Sequence, residues 1–106
     1  MDFTHLEKLA VLKAIDEVMM ADNFADIGEV AYLAQIINKF DFEIQIMNEA
    51  RKMKSSLATS ILREMNKEKK VILYFIMREM AEADGETDAD ELEVILNILQ
   101  ISGAIN

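Results

Sequence analysis

The chain contains no cysteine, no proline, three glycines and one histidine among its 106 residues. Without cysteine there are no disulfides, no thiolate metal sites and no thiol redox chemistry. That absence also suits a cytoplasmic protein. Without proline, and with little glycine, the usual helix breakers are missing. One histidine, His5, close to the N-terminus, leaves no material for Ser/His/Asp or Cys/His nucleophilic catalysis. No glycine-rich phosphate loop is present. Long hydrophobic runs are also absent. The longest, Val71–Met77, has seven residues and is followed by Arg78 and Glu79. A bilayer span needs about 20, so the run reads as a buried core helix and no membrane insertion is expected. The acidic, polar start (Met1-Asp2-Phe3-Thr4-His5-Leu6-Glu7-Lys8) is unlike a secretory signal.

What is present is apolar and acidic. Apolar residues make up 52% of the chain, enough for a real core. The length suits one domain over residues 1–106. Net charge is −9, unevenly spread. Residues 1–50 carry ten acids and three bases, residues 51–70 two acids and seven bases, and residues 71–106 eight acids and one base. An acidic surface repels phosphate backbones, so nucleic acid is not an expected partner. The basic middle (Arg51, Lys52, Lys54, Arg63, Lys67, Lys69, Lys70) reads as a solvated helix surface facing acidic neighbours.

The periodicity predicts an all-α fold, a compact bundle of five to seven helices. Thr4 and Glu7 form a T-x-x-E capping box for a first helix, with Leu6, Leu9, Ala10, Leu12, Ile15, Val18 and Met19 at helical spacing. Asp26 and Glu29 repeat the box before a second helix with Val30, Leu33, Ala34 and Ile37 on one face. Asp41 is the expected cap of a third helix, from Phe42 to about Lys52, with Ile44, Met47 and Ala50 inward. A fourth starts at Ser55 or Ser56, with Leu57, Ile61, Leu62 and Met65 apolar, or continues the third as one bent helix. Asn66 caps a fifth, about 67–83, apolar on nearly every face and so expected at the centre. Its first-turn lysines, Lys67, Lys69 and Lys70, oppose its own dipole and have no local explanation. A sixth helix runs from about Ala89 to Leu99, with Leu92, Ile95, Leu96 and Leu99 as its apolar face.

An offset of 62 residues brings out an internal repeat. Ala21, Asp22, Asp26, Glu29, Glu17 and Ile36 then match Ala83, Asp84, Asp88, Glu91, Glu79 and Ile98. Both copies read helix, acidic loop, helix. The expectation is two similar helical hairpins in a pseudo-twofold arrangement around the central helix. Two units do not make a solenoid, which needs about three or more.

The second loop, Ala83-Asp84-Gly85-Glu86-Thr87-Asp88-Ala89-Asp90-Glu91, resembles the A-D-G-E-x-S/D-x-x-E pattern of the TerB-like, tellurite-resistance family of all-helical domains. Asn66-Lys67-Glu68-Lys69 is similar to that family's polar approach to its central helix, and Asn38-Lys39-Phe40-Asp41-Phe42 to its turn after the second helix. The first loop departs from the pattern, with Asn23 and Phe24 in place of Gly85 and Glu86. The resemblance implies a compact helical module of stress and tellurite-resistance systems, with acidic sites for divalent metal, sometimes fused to chaperone-type partners. Carboxylates would repel tellurite, an anion, and no thiol can reduce it, so any such role is indirect.

The acidic loop admits two readings. Asp84, Glu86, Asp88 and Glu91 are oxygen ligands suited to Ca²⁺ or Mg²⁺. Asp22, Asp26 and Glu29 form a weaker second set. The spacing opens like a calcium loop, but the twelfth position is Ile95 where an EF-hand has glutamate. Alternatively the acids are helix-start chemistry. Asp88 and Glu91 make a capping box, and Asp90, Glu91 and Glu93 favour the start of the sixth helix. Capping does not explain Glu79, Glu82 and Asp84, at the end of the fifth helix, where anions are disfavoured. The methionines Met19, Met47, Met65, Met77 and Met80 fall at or beside core positions and are expected as gap fillers. The functional expectation is a non-catalytic sensor or adaptor with a cation-binding loop. Its alternative is a metal-free module for an unidentified protein partner or for homodimerisation.

Overall fold

The computed structural model describes residues 3–20, 27–39, 42, 43, 45–82 and 89–105. Among these are six helices: α1 (His5–Met19), α2 (Ile27–Lys39), α3 (Ile46–Lys52), α4 (Ser55–Glu64), α5 (Lys67–Glu82) and α6 (Ala89–Ser102), with no strand among the described residues. None of these helices is long and apolar enough to cross a membrane.

α1 begins where its capping box predicts. The Glu7 amide donates to Thr4 Oγ1 at 3.1 Å, and the Thr4 amide donates to Glu7 Oε1 at 2.8 Å. Of its residues, Leu9, Ala10, Val11, Leu12, Ala14, Ile15, Val18 and Met19 are buried. α1 packs against α3, α4 and α6, which places it at the centre. The expected centre was α5, and that expectation is corrected. α5 buries one face, Leu73, Ile76, Met77 and Met80, while Val71 and Phe75 are 46% and 49% exposed. A seven-residue apolar run covers the whole circumference of a helix. Its periodicity therefore carries no information about which side stays in water.

Similar corrections hold elsewhere. Leu6, Leu57, Leu92 and Leu96 are exposed, although each lies on an expected apolar face. On α2 the deepest residues are Tyr32 and Ile36, with Leu33 and Ile37 partly buried and Ala34 exposed. The third helix starts at Ile46, after Phe42 and Glu43 in non-helical backbone, and no side chain caps it. Asp41 and Ile44 lie outside the described residues. α3 and α4 are separate helices, divided by extended Met53 (ψ 139°) and Lys54 (ψ 140°). α4 starts at Ser55, one of the two expected starts. The Ser55 hydroxyl donates to Glu17 Oε1 at 2.6 Å and ties α4 to α1. The five methionines named above are all buried.

α6 runs three residues beyond the expected stop. It ends in a Schellman motif, with Gly103 at φ +80°. The Gly103 amide donates to the Gln100 carbonyl at 3.2 Å, and the Ala104 amide to the Leu99 carbonyl at 2.9 Å. Nothing before Gly103 could stop the helix.

The repeat is legible in the fold. α1 and α5 start at residues 5 and 67, and α2 and α6 at residues 27 and 89, both pairs 62 apart. Asn66 matches Thr4 as N-cap, its Oδ1 accepting from the Lys69 amide at 3.0 Å. Val11, Ile15 and Val18 align with Leu73, Met77 and Met80, and all six are at most 1% exposed. One pair of equivalent residues touches directly. Lys69 Nζ donates to Glu7 Oε1 at 2.7 Å, with both side chains about seven-eighths buried. The packing is less alike: among the described residues α5 packs on α6, whereas α1 packs mainly on α3 and α4.

The Lys69–Glu7 contact accounts for one of the three first-turn lysines, and a helix end accounts for a second. Lys69 meets Glu7, and Lys70 Nζ lies beside Gly103, at the negative end of α6. Arg63 Nε donates to the Ile101 carbonyl at 3.1 Å at the same helix end. Arg51 Nε donates to Asp16 Oδ1 at 3.1 Å. The basic segment thus faces acids and a helix C-terminus.

Burial acts to raise the Glu7 pKa. The Lys69 hydrogen bond, the Thr4 amide and the Lys69 charge outweigh it and hold the carboxyl below its ordinary value. The resulting stabilisation is present above the unfolded pKa of about 4.3 and is lost as pH falls through the lower folded value. Glu7→Gln keeps an acceptor for Thr4 and removes the charge. It should lower stability by about 1–2 kcal/mol at neutral pH, and the gap should close between about pH 5 and 3. Urea unfolding at several pH values tests this; a gap that survives acidification contradicts it. Leu12→Ala should cost about 2–5 kcal/mol and Phe75→Ala about 0.5 or less. Equal costs at the two positions would restore α5 as the enclosed helix.

Candidate functional site

Asp84, Glu86 and Asp88 lie outside the described residues, as do Asp22 and Asp26. Glu91 belongs to α6 and Glu29 to α2, with their side chains outside the description. What the structure gives is the frame on either side. α2 and α6 begin at the residues following Asp26 and Asp88, the register a capping role requires. Around the second loop, Glu79 is exposed near the end of α5, and Leu92 and Glu93 are exposed on the first turn of α6. Among the described residues no three His, Cys, Asp or Glu side chains converge.

Glu79, one of the acids that capping does not explain, has a neighbour that the sequence did not reveal. Tyr32 of α2 is 7% exposed, and its Oη has no hydrogen-bond partner among the described residues. Burial pushes the phenol's pKa well above its ordinary value of 10, and the adjacent Glu79 carboxylate pushes in the same direction. The contact joins α2 of the first hairpin to α5 of the second. The only sequence signal was the matching of Glu79 with Glu17, whose carboxylate also receives a hydroxyl, that of Ser55. A tyrosine at helical spacing beside two apolar residues otherwise reads as core.

His5 is exposed, with Nε2 3.2 Å from Glu49 Oε2, and has no nucleophile beside it among the described residues. Two shallow grooves of about 390 and 460 Å³ lie on the α5–α6 hairpin. The first is lined by Lys67, Lys70 and the chain after α6, the second by Leu92, Glu93 and Leu96. Neither was anticipated from sequence, because each depends on which face of α5 and α6 stays uncovered.

No family model, curated protein or solved structure matches this chain.

Tyr32 and Tyr74 are the two tyrosines. In a Tyr74→Phe variant, phenolate absorbance should appear only well above pH 10, the ordinary value. Because the folded pKa is raised, the stabilisation is full below the unfolded value of about 10 and is lost as pH rises beyond it. Adding Glu79→Gln should bring the titration down. Phenolate forming near pH 10 in the folded Tyr74→Phe protein would mean that Tyr32 is neither buried nor beside Glu79.

Proposed function

We propose that the chain is a non-catalytic, stress-associated helical module, a sensor or adaptor that takes a divalent cation, Ca²⁺ before Mg²⁺, at the loop carrying Asp84, Glu86, Asp88 and Glu91. Asp22, Asp26 and Glu29 form the weaker second set. The observation that carries this reading is the position of Glu79. It is an exposed anion at the C-terminal end of α5, where the helix dipole is unfavourable, next to a phenol that holds no positive charge. A cation in the adjoining loop relieves that repulsion. The loop's likeness to the TerB-like pattern supports the same assignment and the stress association.

A second reading is a metal-free interaction or homodimerisation module. It is favoured by Val71, Phe75, Leu92 and Leu96, all more than two-fifths exposed on the α5–α6 hairpin. Large apolar side chains grouped on one hairpin suit a partner surface.

Calorimetric titration of chelator-treated protein with Ca²⁺, Mg²⁺ and Mn²⁺ tests the first reading. Ca²⁺ at about 100 times its Kd should add about 2.7 kcal/mol of stability. The melting temperature should rise more with Ca²⁺ than with monovalent salt of equal ionic strength, and Asp84→Asn should remove the difference. Equal shifts from the two salts, with no binding heat, would sink it.

A further inference from the structure

The two grooves of the α5–α6 hairpin carry opposite charge; the first lies past the C-terminal end of α6, and the second runs along α6 from Leu92 to Gln100. In the first, Lys67 and Lys70 lie beside apolar Val71 and Ile105. Neither lysine side chain has an ion pair among the described residues, although the chain carries 20 acids. In the second, Leu92 and Leu96, 45% and 43% exposed, flank exposed Glu93. α5 rises about 24 Å over its length. Lys70 sits beside Gly103, just past the end of α6, so Leu92 and Glu93 on the first turn of α6 belong to the far end.

We infer that the chain associates with further copies of itself head to tail, the Leu92–Glu93–Leu96 face of one copy seated in the Lys67–Lys70–Val71–Ile105 groove of the next. This rests on the second reading above and gives it a direction. A carboxylate reaches two ammonium groups that have no ion pair among the described residues, and leucines reach apolar Val71 and Ile105. The two faces are different patches of the surface. The contact is therefore heterologous, and it builds a ring or an open row of copies, where a twofold dimer would use one patch twice. The lysines bind as point charges and lack the planar fork that guanidinium offers to phosphate, which suits carboxylates spread along a helix.

Sedimentation velocity in chelator tests this independently of cation binding. At about 0.15 M salt the Debye length is about 8 Å, which damps the general repulsion between copies of charge −9. The sedimentation coefficient should rise with concentration and pass the dimer value. Lys67→Glu/Lys70→Glu removes the head and Leu92→Ser/Glu93→Lys removes the tail; each variant alone should be monomeric, with the helical circular dichroism of the parent. Mixed, they should give a discrete heterodimer, because one intact head and one intact tail remain. Where a variant folds poorly, Lys67→Ser/Lys70→Ser and Glu93→Gln replace it. A plateau at two copies would overturn the inference and leave the homodimer standing. A parent that is monomeric throughout would overturn both. Association that persists in both variants would place the contact elsewhere.

Discussion

Oε1 of Glu7 accepts two hydrogen bonds, one from the Thr4 amide and one from Lys69 Nζ. The first closes the start of α1. The second fixes α5 against α1 at equivalent positions of the two hairpins. Its energy is small beside that of the core. A charged hydrogen bond is worth about 1.5–3 kcal/mol, while each fully buried large side chain contributes a similar amount, and Leu12, Ile15, Leu73, Met77, Val11 and Val18 are all fully buried. Burial therefore supplies the stability. It is also non-directional. Two apolar helices slide or rotate against one another at little cost as long as their faces stay covered. A mostly buried ion pair tolerates no such shift, because breaking it leaves two desolvated charges. The core holds α1 and α5 together, and Glu7 with Lys69 selects the register in which they meet.

The same contact separates what was legible in the sequence from what was not. Helix starts were legible because their chemistry is local. Thr4 with Glu7, and Asn66 with the Lys69 amide, act within four residues, and both starts fall where the residues placed them. The 62-residue repeat was legible because it needed only comparison of the chain with itself. Facing was not. Val71–Met77 is apolar all round, and tertiary neighbours alone decide that Leu73 and Met77 are covered and Phe75 is not. Leu92 and Leu96 are as apolar as Ile95 and Leu99, and tertiary neighbours alone divide them. The break at Met53–Lys54 has no proline or glycine to announce it, and the Ser55 hydroxyl goes to Glu17 on another helix. The lysines of α5 looked misplaced because a helix was judged against its own dipole. The partners of Lys69 and Lys70 lie on α1 and at the end of α6, far away in sequence.

Helix-end electrostatics then account for most of the charge pattern that first suggested a functional site. In the sequence, Asp26 and Asp88 immediately precede the starts of α2 and α6. Arg63 and Lys70 attend the negative end of α6, and Lys69 and Arg51 meet acids of α1. After those assignments a few charges remain that folding does not use. Glu79 stands at an unfavourable helix end beside a neutral phenol, and Lys67 lines an open groove with no ion pair among the described residues. They occupy opposite ends of one helix, so α5 carries an unspent negative charge at one end and an unspent positive charge at the other. Isolated surface charges are ordinary, and each alone would mean little. Here both belong to the hairpin that also leaves Val71, Phe75, Leu92 and Leu96 in water. Among the described residues, five of the eight large apolar side chains left in water lie on α5 and α6, the helices that also carry Lys67 and Glu79, while Leu6, Met20 and Leu57 are the other three.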